Sequence, residues 1–230
     1  MKYSLTILSI ILLLIVGSSV NALAQKKKKK RKFNPKHRFN AGFVLGITAS
    51  QIDGDGFSGY HKLGIQGGVR GIAKLTRYTD LAVEMLFLQK GSRDPNSSVG
   101  KEYRKLTLNY IEVPVFLHLK TGEEGFRGSV DLGFSFGRLL NYDIVEYTNR
   151  LKYTPFESVK DEFKRNDWSL VIGGGFFYSD HLKFQIRHSI GLTRFYDNVD
   201  YDITSASVLG PKDFRLLRNY FLSVNTTYMF

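Results

Sequence analysis

The densest group of chemically versatile side chains lies early, where Asp53-Gly54-Asp55 is followed closely by Ser58 and His61. Two carboxylates flanking a glycine resemble the opening of a calcium loop. An EF-hand would need a further oxygen ligand at its fifth position and a glutamate at its twelfth. Counted from Asp53, those positions are Phe57 and Gly64. Asp-Gly is also ordinary turn chemistry, so Asp53 and Asp55 stand only as weak metal candidates and no cofactor is expected. An acid, a hydroxyl and an imidazole could also serve hydrolysis, but a triad needs a base set beside its nucleophile. The other histidines, His37, His118, His181 and His188, are scattered along the chain. The expectation is a protein that is not an enzyme, with no catalytic residues to name.

A second set of charges is spaced for a different purpose. Glu84, Glu112 and Asp131 fall on the polar register of segments that alternate, as do Lys62, Arg70, Arg127, Lys183 and Arg187. In a β-strand successive side chains point to opposite faces. These charges therefore gather on one face of whatever sheet the segments build.

Eight such segments follow one another from Phe39 to the end. In order they are Phe39–Ser50, Lys62–Lys74, Leu81–Phe87, Tyr110–Leu119, Phe126–Phe136, Trp168–Tyr178, Leu182–Thr193 and Asn219–Phe230. Apolar residues occupy alternate positions, as in Phe43, Leu45 and Ile47, or Val113, Val115 and Leu117. Segments of about ten alternating residues, in even number, are what a transmembrane barrel shows. Abundant Gly (22), Phe (18) and Tyr (13) with only five Pro suit strands, turns and aromatic girdles. The predicted fold is all-β, an eight-stranded antiparallel up-and-down transmembrane barrel. A soluble lipocalin-like barrel or a sandwich also alternates, but gives no reason for the spacing of the connections. Those are short at Thr76–Thr79, Thr121–Gly125 and Ser179–His181, and long at Gln51–Tyr60, Gly91–Arg104, Thr148–Asp167 and Asp197–Arg218. Short periplasmic turns and long outer loops are the outer-membrane arrangement. Pro114 lies mid-strand, where it cannot donate to a ladder, and a bulge is expected there.

An eight-stranded lumen is just wide enough for side chains to fill it, and a buried ion left alone is costly. The inward charges thus predict a plugged lumen crossed by carboxylate–guanidinium pairs among Glu84, Glu112, Asp131, Arg70, Arg127 and Arg187. The rival is a narrow channel for small solutes. Aromatics in the longer loops, Tyr147, Tyr153, Phe156, Phe163, Tyr196, Tyr201 and Phe214, either form a partner surface or fold over the barrel mouth. Tyr228 and Phe230 end the last strand and resemble the C-terminal signal read by the barrel-assembly machinery.

The net charge of +12 would suit a nucleic-acid partner until it is located. Ten of the 33 basic residues precede Phe39, leaving 23 basic against 21 acidic residues from there on. No nucleic acid is expected. Lys2, the apolar run Leu5–Val16 and the small residues of Ala22-Leu23-Ala24 form an export signal cut between Ala24 and Gln25. The apolar core is about a dozen residues, short of the roughly 20 a spanning helix needs. Residues 25–38 read as a basic solvated tail, with tethering by Lys26–Lys32 to an anionic surface as the sharper alternative. Residues 39–230 are the barrel, placed in the bacterial outer membrane.

Two blocks then show a resemblance. Gly42-Phe43-Val44-Leu45-Gly46, Ser50-Gln51-Ile52-Asp53-Gly54-Asp55 and Gly59-Tyr60-His61-Lys62-Leu63-Gly64 form the first. Leu108-Asn109-Tyr110-Ile111-Glu112-Val113-Pro114-Val115 is the second. Over about Phe39–Phe230 the chain resembles the PorT-like outer-membrane β-barrel family common in Bacteroidota. The resemblance implies the barrel fold and a link to protein export of the type IX kind, and carries no catalytic residues. The expected function is therefore a non-enzymatic, membrane-embedded binding or assembly element, an accessory of protein secretion with outer-membrane lipid and an envelope or secretion protein as partners. The alternatives are the solute channel and, behind it, a loop-borne lipid-modifying enzyme.

Overall fold

The structure, a computed structural model, describes residues 38–95, 102–121, 127–148, 155–197 and 216–230. The export signal, the cleavage site at Ala24 and Gln25, and the basic run lie outside these residues, as do Tyr153, Tyr201 and Phe214.

Strands β1 (Phe39–Asp53), β2 (Lys62–Lys74), β3 (Thr79–Arg93), β4 (Glu102–Lys120), β5 (Arg127–Thr148), β6 (Asn166–Phe177), β7 (Leu182–Gly191) and β9 (Leu216–Met229) pair antiparallel, each with the next. The two-residue β8 (Tyr196–Asp197) lies on the start of β9. Pairing of β1 with β9, from Gly42↔Met229 to Asp53↔Arg218, closes the ring at eight strands. The Phe230 amide adds a bond to the Ala41 carbonyl at 2.9 Å.

Period two decides which face is which, and the result is inverted relative to a soluble protein. Outward positions carry Leu45, Ile47, Leu63, Met85, Phe134 and Val224, all at least half exposed. Inward positions carry Gln66, Arg70, Glu84, Asp131, Lys183 and Asn225, all within 5% of complete burial. A contiguous apolar belt of that size on a water-soluble surface would be anomalous. Facing hydrocarbon it is stabilising, by about 1.5–3 kcal/mol for each large side chain withdrawn from water.

Inside, the ring has two storeys. Towards the long loops the interior is apolar, with Ile52, Leu88, Leu106, Leu108, Leu139, Leu217 and Phe221 packed together. Towards the short turns it is polar and charged. Backbones approach closely in places. A Cβ on Gly68 would stand 1.9 Å from the Met85 carbonyl oxygen, so only glycine fits there.

Several expectations need correction. Strands β3, β4, β5 and β9 run beyond the alternating apolar segments, because their polar ends still pair: Glu102–Asn109 lie opposite Asn141–Thr148. Pro114 makes no bulge. The β3–β4 ladder has no pairs at Glu84, Met85, Val113 and Pro114, yet keeps its register from Val83↔Val115 to Leu86↔Glu112. The missing donor is absorbed as a gap in hydrogen bonding, without an inserted residue. The bulge lies instead where Asn109 faces Asn141 and Tyr110 faces Leu139, leaving Leu140 as the extra residue. An extra residue reverses the facing of everything beyond it. Even-numbered Tyr142, Ile144 and Glu146 thereby come onto the face of Leu108, Leu106 and Arg104.

The connection after β5 is also partly folded. Helix α1 (Phe156–Val159) and a 3-10 turn (Lys160–Glu162) bury Phe156 and Val159 in the apolar storey. Phe163 stacks edge-on against Tyr142, Phe195 and Tyr196. Of the loop aromatics, Phe156, Phe163 and Tyr196 thus fold over the mouth, while Tyr147 is exposed.

Candidate functional site: the lumen and its two mouths

The alternating register brings the inward charges of five strands to one place. Arg187 on β7 donates to both oxygens of Glu84 on β3, at 2.6 and 2.7 Å, a bidentate pairing that spans the barrel. Arg70 on β2 lies 3.4 Å from the same carboxylate and donates to Gln185 at 2.8 Å. Both guanidinium groups also sit over the Phe116 ring, at 5.2 and 4.6 Å. Asp131 on β5 is surrounded by His118 Nδ1 at 2.5 Å and by Lys183 and Arg187, each at 3.6 Å. It also accepts a bond from Gln185. Gln66 reaches Asn225 in the same layer.

One layer towards the long loops is a group that sequence reasoning missed. Lys90 on β3 is 1% exposed and donates to Glu112 at 2.6 Å and Asp167 at 2.7 Å. Its ammonium lies 4.1 Å from the Tyr110 ring centroid and 5.5 Å from that of Phe221. Glu112 therefore pairs with a lysine rather than with an arginine among the described residues. Arg127 needs a like correction. As the first residue of β5 it sits at the rim, where it bonds the exposed Asp180 at 2.7 Å rather than a lumen carboxylate. Lys62 is buried on the inward register and donates to the Leu63 carbonyl at 2.7 Å.

At the long-loop mouth, Glu146 accepts from the Arg104 guanidinium at 2.8 Å and from the α1 amide of Phe156 at 3.1 Å. Arg104 in turn lies over the Phe156 and Phe57 rings, at 4.8 and 5.8 Å. Asp55 is fully buried beside this clamp and accepts the Phe57 amide at 2.8 Å. Burial pushes its carboxyl up to about 6, against the lowering pull of Ser92, the Phe57 amide and Arg104. Asp53 is exposed. The two aspartates thus shape a turn, with Gly54 at φ 97° where other residues would be strained. Among the described residues no group of three His, Asp or Glu side chains is placed to hold a metal ion.

The histidines have separate neighbours. His118 meets Asp131, His181 Nδ1 lies 2.8 Å from the Met229 carbonyl, and His188 Nε2 lies 2.8 Å from the Tyr60 hydroxyl. Nucleophile-elbow spacing, which the sequence reading takes to be absent, does occur at Gly133-Phe134-Ser135-Phe136-Gly137. That motif needs a strained strand-to-helix turn. Here it lies mid-strand in β5, and Ser135 donates to Glu112 at 3.0 Å as part of the lumen network.

The short-turn end carries the aromatic finish of the last strand. Phe230 meets Phe43 edge-on at 5.3 Å, and Tyr228 stacks on His181 at 5.9 Å. Both side chains are at least half exposed on the outer face.

No curated protein matches the chain. Among solved structures, Ail, the attachment invasion locus protein of Yersinia pestis, shares 12% identity over 84% of this chain and 100% of its own, with TM-score 0.41. The outer membrane protein OprG from Pseudomonas aeruginosa shares 11% over 84% and 94%, with TM-score 0.37. The outer membrane protease OmpT from Escherichia coli shares 11% over 88% and 99%, with TM-score 0.29. The family described as "Outer membrane protein beta-barrel domain" matches residues 23–197. With that match spanning most of the sequence, the chain belongs to the outer membrane protein β-barrel family.

Proposed function

We propose that this protein is a non-enzymatic element of the outer membrane that binds or assembles partner proteins, as an accessory of protein secretion of the type IX kind. The observation that carries the reading is the lumen, where the Arg187–Glu84 and Lys90–Asp167 pairs run from wall to wall. A barrel filled in this way works through its mouths and loops rather than through a passage. The His118–Asp131 pair is enclosed with Lys183 in the charged storey, which supports a structural role over an acid–base one. The PorT-like resemblance supplies the link to secretion. In this reading the chain is exported by a signal cut after Ala24, and Tyr228 and Phe230 present it to the barrel-assembly machinery. Its short turns then face the periplasm and its long loops the exterior.

The test compares the proteins secreted by a strain lacking the gene with those of its parent. Cargo proteins stalled in the periplasm of an intact envelope are expected. An unchanged set of secreted proteins would contradict the secretion role.

A further inference from the structure

Strands β3, β4 and β5 continue past their neighbours at the long-loop end. Pairing of β2 with β3 stops at Gln66↔Leu88 and that of β5 with β6 at Arg138↔Asn166. The three strands themselves stay paired out to Arg93↔Lys105 and Glu102↔Thr148. The outward face of this three-stranded wall changes character where the lipid face ends. Phe87 and Ile111 face each other as its last large apolar residues on β3 and β4. On the next outward row Gln89 lies opposite Asn109, which donates to Asn141 at 2.6 Å. Further out Arg93 lies directly opposite Lys105, and Tyr103 opposite Tyr147. The Arg93 guanidinium sits over the Tyr103 ring at 5.9 Å. Like charges set directly opposite one another weaken a sheet. Among the described residues no carboxylate stands within ion-pairing distance of either cation. Asp143, the one carboxylate on the same face, lies opposite Thr107, a row nearer the lipid face. The connections flanking the wall, 96–101 and 149–154, carry Lys101, Arg150 and Lys152 and no acidic residue.

We propose that this wall binds the phosphorylated oligosaccharide headgroup of a glycolipid in the surrounding outer leaflet. The proposal rests on the orientation given with the proposed function and is independent of the secretion role. A phosphate between Arg93 and Lys105 converts their repulsion into charge-assisted bonds. Sugar hydroxyls suit the amide groups of Gln89, Asn109 and Asn141, and the Tyr103 and Tyr147 rings offer flat apolar faces with a polar edge. Height decides the class of lipid. Arg93 lies six residues beyond Phe87, about 20 Å along a strand and about 15 Å in height at a tilt of about 35–45°. A phospholipid headgroup layer is only about 5–8 Å deep on each side, so its phosphate stays below the cations. An oligosaccharide headgroup spans the interval. Its acyl chains then rest on the apolar belt that begins at Phe87 and Ile111, which selects a lipid over a free anion.

The experiment is native mass spectrometry of the full chain from uncharged detergent micelles, titrated with lipopolysaccharide whose core sugars are phosphorylated. The double variant Arg93→Gln/Lys105→Gln is expected to bind it at least tenfold more weakly, by about 1.4 kcal/mol or more. Removing the core phosphates should weaken binding to the parent chain by as much. Lys74→Gln, at the short-turn end of β2, should bind like the parent. The double variant removes a repulsive pair outside the lumen, so its urea midpoint without glycolipid should equal or exceed the parent's. A lower midpoint would show the pair to be compensated within the chain and would overturn the proposal, as would equal affinity of the double variant. Equally tight binding of phosphatidylglycerol would overturn it in favour of a general anionic-lipid contact. Equal affinity for the core oligosaccharide without acyl chains would overturn it in favour of a soluble-saccharide site. Displacement by an equimolar polyglutamate peptide would overturn it in favour of an acidic protein partner. Should glycolipid binding depend on the wall while the gene deletion leaves secretion unchanged, the wall stands and the secretion role falls. Equal binding by the double variant beside stalled cargo would overturn the wall and keep the secretion role.

Discussion

At the scale of single residues, the lumen is governed by the cost of leaving a charge alone. Lys90 is almost completely buried, and two carboxylates and two aromatic faces surround its ammonium. Removing one member of a buried ionic group typically costs 3–5 kcal/mol, whereas replacing all its members by neutral ones can be nearly neutral. Lys90→Met should therefore lower barrel stability by about 3–5 kcal/mol, measured by urea unfolding in lipid vesicles, because Glu112 and Asp167 are left facing each other. The triple variant Lys90→Met/Glu112→Gln/Asp167→Asn should recover most of that loss. A triple variant no better than the single one would show that Lys90 acts through packing alone. The same residue marks where sequence reading stops. Phe87 ends the apolar run of β3, and Gln89-Lys90-Gly91 looks like the start of a loop. Only the continued pairing, with Lys90 opposite Leu108, puts its side chain inside. Arg127 fails in the opposite direction, because period two gives the facing of a residue but not its depth.

At the scale of elements, the long-loop mouth is closed by pieces that no local pattern reveals. The bulge at Leu140 turns Glu146 towards Arg104, and that pair receives the first turn of α1. Its only sequence signal is the adjacent pair Leu139-Leu140, which breaks the alternation. Asp55 ties the first loop to the same mouth, and its raised titration point gives the closure a pH dependence. The folded protein holds this proton up to about pH 6, while the unfolded chain releases it near 3.8. The stabilisation is thus complete below about pH 4 and is lost as pH rises through about 6, a difference of about 3 kcal/mol. The melting midpoint of the wild type, relative to Asp55→Asn, should fall between pH 4 and pH 7. Parallel curves for the two proteins across that interval would mean that Asp55 is hydrated and ordinary.

At the scale of the whole molecule, the architecture was readable because a barrel repeats one rule eight times. Apolar residues at every second position, as along Val113, Val115 and Leu117, identify the lipid face, and the unequal connections order the strands into hairpins. The function was less readable because it depends on what the interior does when the ring closes. Glu84 lies 103 positions from Arg187 in the chain, and their pairing is a property of closure alone. Buried charge pairs cross this interior, and the proposed function assigns the work to the mouths. Single-channel recording on the purified protein in planar bilayers tests closure of the lumen most directly. The prediction is a silent bilayer with inserted protein, at neutral pH and moderate voltage, and unitary steps only when Glu84, Arg70 and Arg187 are all replaced by alanine. Reproducible unitary conductance from the wild type would contradict the closed lumen and restore the narrow channel as the protein's function.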